Sequence, residues 1–81
     1  MFDRVIGNDL PINPNAALKL KNAIAFESSG RYESALMALD EALAIQGNYL
    51  DAWLVKAVIF GKLGKCSDAL KCYDKALEIN S

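Results

Sequence analysis

From Leu20 onward the chain repeats itself with a period of 34 residues. Leu20, Ala23, Phe26, Gly30, Ala35, Leu36, Asp40, Ala42, Leu43 and Ile45 recur, without a gap, as Leu54, Ala57, Phe60, Gly64, Ala69, Leu70, Asp74, Ala76, Leu77 and Ile79. A period of this size marks a stacked supersecondary unit, because one such unit cannot bury its apolar face alone and must lean on a neighbour. It directs the functional reading toward binding rather than catalysis.

Within each period the apolar residues fall three and four positions apart, which is the spacing of one face of a helix. Asn13-Pro14 offers an N-cap followed by proline at the first helical position, where its missing N–H costs nothing. A first helix is expected from there to about Ser29, ended by Gly30 as a left-handed cap. A second runs from about Tyr32 to Gln46, with Ala35, Leu36, Leu39, Ala42 and Leu43 on its apolar side. Gly47-Asn48 closes it, and Asn48 is the expected cap of a third helix ending near Leu63-Gly64. The fourth begins around Cys66-Ser67 and carries Ala69, Leu70, Tyr73, Ala76 and Leu77. No segment shows a strand pattern. Connections of two or three residues force successive helices antiparallel. The expected fold is therefore all-α, with antiparallel helical hairpins at residues 15–47 and 48–81 stacked as a short solenoid. Paired small residues, Ala23 with Ala35 and Ala57 with Ala69, would let the two helices of each hairpin approach closely.

Residues 1–14 fit the period less well. Phe2, Val5 and Ile6 have helical spacing and resemble the segment Tyr73-Asp74-Lys75-Ala76-Leu77, but Gly7-Asn8-Asp9-Leu10-Pro11 then breaks the register. Two readings stand here: a remnant of a preceding second helix, or a disordered leader.

Eighty-one residues suffice for one domain, and a domain of this size buries only about 60–65% of the surface its unfolded chain exposes. With 53% apolar residues, part of that content is expected to stay exposed or to be covered from outside. Nine Lys and Arg against ten Asp and Glu leave no electrostatic footprint for nucleic acid. Apolar runs such as Ala57-Val58-Ile59-Phe60 are far too short to span a bilayer. The N-terminus lacks the basic region and apolar stretch of a signal peptide, so the expected location is cytoplasmic, with neither nucleic acid nor membrane as partner.

Catalysis finds no foothold. There is no histidine, no glycine-rich phosphate loop and no nucleophile beside a base. Cys66 and Cys72, the only cysteines, stand six residues apart on one helix and point away from each other, too far apart for a disulfide. They are too few for structural zinc. They read as small packing residues, and no cofactor or metal is expected. Asp40-Glu41, Asp68 and Lys71-Lys75 fall on polar helix faces and read as solvating charges. An RNA-reading repeat would need basic and polar residues along the first helices, where this chain has Leu, Ile and Val.

The second unit, with Trp53, Ala57, Phe60, Gly64, Ala69, Tyr73 and Ala76, resembles the tetratricopeptide repeat (TPR) family at every spacing. The first unit has Ala23, Phe26, Gly30, Ala35 and Ala42 in the equivalent places, and Leu39 for the aromatic. The resemblance covers residues 16–81. It departs from the pattern at Lys19, where tryptophan is usual, at Asn22 and Lys56, where leucine is usual, and at Gly47 and Ser81, where proline usually closes the repeat.

The resemblance implies that the first helix of each pair lines a concave face where peptides lie. Carried over, that face shows Ala17, Leu20, Ile24, Glu27 and Ser28, then Asp51, Leu54, Val58, Gly61 and Lys62. Leu20, Ile24, Leu54 and Val58 occupy the places where some family members clamp a carboxylate with Lys, Asn and Arg, so that clamp is absent. An apolar groove suits an amphipathic helix or hydrophobic peptide; the other reading of these four residues is ordinary core packing. The expected function is a protein–protein interaction module for a protein or peptide of unknown identity. The alternative is a self-assembling unit joined through Leu70, Tyr73, Ala76 and Leu77 on the fourth helix.

Overall fold

The computed structural model describes residues 12–79. Phe2, Val5, Ile6 and the rest of residues 1–11 lie outside the described residues, as do Asn80 and Ser81. Four helices follow one another: α1 (Pro14–Ser28), α2 (Tyr32–Ile45), α3 (Leu50–Lys62) and α4 (Cys66–Ile79). Among the described residues there is no strand.

The helix ends follow from local chemistry at three of the places the sequence marks. Asn13 caps α1, its side-chain oxygen accepting the Asn15 N–H at 2.8 Å, with Pro14 behind it as the first helical residue. At the other end of α1 the Gly30 N–H donates to the Glu27 carbonyl and the Arg31 N–H to the Phe26 carbonyl, at 3.0 and 2.8 Å. This doubly bonded stop needs a left-handed residue at its centre, and Gly30 has φ +79°. The same stop closes α3 one period later. There the Gly64 N–H donates to Gly61 and the Lys65 N–H to Phe60, with Gly64 at φ +78°.

At the start of α3 the structure differs from expectation. The N-cap is Tyr49, not Asn48, and no side chain caps the helix. Asparagine is the far better capping residue in isolation. Tyr49, however, is buried in the core between the hairpins. Sinking that ring outweighs the hydrogen bond of roughly 1 kcal/mol that an asparagine cap would supply. The turn before it is held instead by the Gln46 side chain, which accepts the Asn13 N–H at 2.7 Å across 33 residues.

Inside each hairpin the helices meet at alanines. Ala23 and Ala35 are fully buried, as are Ala57 and Ala69 to within a few per cent. Small side chains let the α1–α2 and α3–α4 axes come close, so backbone packing takes the place of large apolar side chains there. The second contact layer joins the hairpins. α3 packs against both α2 and α1, and its Tyr49, Ala52 and Ile59 share one buried cluster with Ala16, Leu20, Leu39 and Ala42. Leu39 and Ile59 are the largest side chains wholly removed from water.

Candidate functional site

The 34-residue offset gives each position of the second hairpin an internal standard in the first. Two kinds of position emerge on the helices predicted to line a groove. Ile24 on α1 and Val58 on α3 are both 44% exposed, so stacking a hairpin beside the first has covered neither. Leu20 and Leu54 behave differently: Leu20 is 8% exposed and part of the core, whereas its counterpart Leu54 is 37% exposed. The apolar strip of four residues expected from sequence thus divides in two. Ile24 and Val58 face solvent in both copies, while Leu20 is covered by α3 and Leu54, at the same register, is left open.

The polar members of the same face are also resolved. Glu27 at the end of α1 and Lys62 at the end of α3 are hydrogen-bonded to each other, fastening the two helices one turn beyond Ile24 and Val58. That hydrogen bond, together with the Glu27 charge, raises the Lys62 pKa above its ordinary value. Asp51, Ser28 and Gly61 are exposed and Ala17 is half-buried.

Leu50, Leu54, Tyr73, Ala76 and Leu77 line an open pocket between α3 and α4. Leu54, expected in the partner groove, and Tyr73, Ala76 and Leu77, expected in self-association, are therefore parts of one surface. Leu77 is 67% and Tyr73 42% exposed, with Ala76 buried at its floor. Leu70, one face of α4 away, is also exposed and is not among the lining residues. Shifted back by one period, the lining becomes Ala16, Leu20, Leu39, Ala42 and Leu43. The first four of these are buried and Leu43 is packed against them, beneath α3.

A third feature explains one departure from the repeat pattern. Lys56, standing where leucine is usual, reaches Asp40 on α2 at 2.8 Å and lies 5.3 Å from the centre of the Trp53 ring. The indole N–H of Trp53 in turn donates to the Gly47 carbonyl at 2.9 Å. The lysine stem covers apolar surface while its ammonium clamps α3 to α2. Lys19, in the place of tryptophan, pairs with Glu41 at 2.9 Å within the first hairpin. Sequence reasoning read Asp40 and Glu41 as solvating charges, and no short-range signal would have found their partners on other helices. Cys66 and Cys72 are both free, the first exposed and the second buried. Burial raises the Cys72 pKa.

The family model described as tetratricopeptide repeat matches residues 50–81. No curated protein and no solved structure matches the chain. Residues 50–81 thus match the tetratricopeptide repeat model, and the four-helix packing of the described chain is consistent with repeats of that kind.

Proposed function

We propose that this protein is an interaction scaffold, acting by binding rather than catalysis, which receives an amphipathic helix or hydrophobic peptide along α1 and α3. The tetratricopeptide match supports the general reading of a protein–protein interaction unit. The observation that carries the finer one is the equal exposure of Ile24 and Val58 in both hairpins. Aliphatic side chains that stay open whether or not a neighbour is stacked are not incomplete core, and their apolar surface is available to a ligand. The Glu27–Lys62 pair borders the strip and leaves both charges compensated. Asp51 remains exposed at the opposite end of α3.

The test is selection of binders from a displayed library of amphipathic peptides, followed by titration of the selected peptide. Ile24→Lys with Val58→Lys is expected to weaken that peptide at least about tenfold, a loss of roughly 1.4 kcal/mol or more. Far-UV circular dichroism should stay helical, since both side chains already face water. Unchanged binding to the double variant, or its unfolding, would show that these two residues are not the binding surface.

A further inference from the structure

The pocket lined by Leu50, Leu54, Tyr73, Ala76 and Leu77 has a precedent inside the molecule that says what fits it. One period earlier the same five positions are covered by α3, which lays Tyr49, Ala52, Val55 and Ile59 against them. Those four residues stand at positions 0, 3, 6 and 10 of the helix. They are an aromatic, a small residue and two β-branched residues on one face. Seven residues after Tyr49, Lys56 pairs with Asp40 on α2. The counterpart of Asp40 on α4 is Asp74, which is exposed and directly follows the pocket-lining Tyr73.

We propose that this end pocket is a second binding site, distinct from the Ile24–Val58 strip, for a partner helix built like α3. Its occupant carries an aromatic, a small residue three positions on, β-branched residues at six and ten, and a basic residue at seven that pairs with Asp74. The α3 of a second copy is already packed against α1 and α2 of its own chain, and its α1 does not meet this description. The positions of α1 equivalent to Tyr49, Ala52, Val55 and Ile59 are Asn15, Leu18, Lys21 and Ala25, all exposed. Stacking α1 head-to-tail into the pocket would bury Lys21 and Asn15 against Leu54 and Leu77 without partners. Two pockets placed face to face would leave both without the helix that fills the first.

The probe is a fluorescent peptide of residues 48–63, titrated into the full chain and followed by anisotropy. Saturable binding is expected, with none for a peptide of residues 13–28. Tyr73→Glu with Leu77→Lys should weaken binding at least about tenfold, whereas Ile24→Lys with Val58→Lys should leave it unchanged. Asp74→Lys should weaken it about two- to fivefold, the worth of an exposed ion pair, and Lys56→Glu in the peptide should restore it. In the unmodified protein the methyl resonances of Leu54 and Leu77 should shift on titration, a readout that needs no variant to fold. Three results would overturn the proposal. One is equal binding of the two peptides, and another is methyl shifts confined to Ile24 and Val58. The third is a wild-type dimer that Leu77→Lys dissociates, which would make a second copy the occupant.

Discussion

Leu20→Ala and Leu54→Ala are the same substitution at the same register of the repeat, and the structure makes them unequal. Leu20 is 8% exposed in a closed cluster that includes Ala16, Leu39, Ala42 and Ala52. Truncating it removes buried carbons and leaves a cavity that the surrounding helices close only in part. Fully buried Leu→Ala changes cost about 2–5 kcal/mol, which places this site at roughly 3 kcal/mol. Leu54 is 37% exposed at the wall of an open pocket, so solvent takes the vacated space and no cavity term arises. Only the transfer term remains for the covered part of the side chain, about 1–1.5 kcal/mol at ~0.8 kcal/mol per buried methylene. The difference of roughly 1.5–2 kcal/mol corresponds to a gap of about 6–15 °C in Tm for a domain of this size. Urea and thermal melts followed by far-UV circular dichroism measure both variants against the wild type. Equal destabilisation by the two would refute the reading of Leu20 as a covered core residue and Leu54 as its open counterpart. It would also remove the basis for an open end pocket.

Glycine substitutions should change sign with position. Gly30→Ala forces a side chain into φ +79° and should cost about 1–2 kcal/mol. Gly61→Ala, within α3 and with nothing near its Cβ direction, should stabilise by about 0.5–1 kcal/mol in the same melts. Stability should also fall at alkaline pH. Cys72, Tyr49 and Lys62 all have folded-state pKa values raised, by burial for the first two and by the Glu27 hydrogen bond for Lys62. The folded state therefore holds these protons more tightly than the unfolded chain, so stability is complete below their ordinary values. It should begin to fall near the ordinary thiol value of 9.0 and decline further past 10.0 and 10.5, as the tyrosine and lysine follow. Cys72→Ala should move the onset upward in urea midpoints recorded across pH; an unshifted onset would separate the thiol from the alkaline loss.

Much of this architecture is local and was readable from residue order. The Asn13-Pro14 start, the glycine stops at Gly30 and Gly64, and the alanine pairs within each hairpin depend on neighbours a few residues away or on a short connection. The repeat period then tells which units stack. What the sequence could not decide is how two identical registers differ, because that depends on whether something lies alongside. Leu20 and Leu54 have the same place in the pattern, yet only the first has α3 over it. Tyr49 takes the cap position over Asn48 because its ring is wanted in a core assembled from three helices, a demand that no local preference encodes. Lys56 looks like a defect in the repeat until Asp40 and Trp53 are brought to it by folding. Sequence by itself determined the helices, their ends apart from the start of α3, and their pairing, since those are short-range and periodic. The tertiary structure alone decided which apolar residues are core and which are open surface, since burial is a property of what is packed on top.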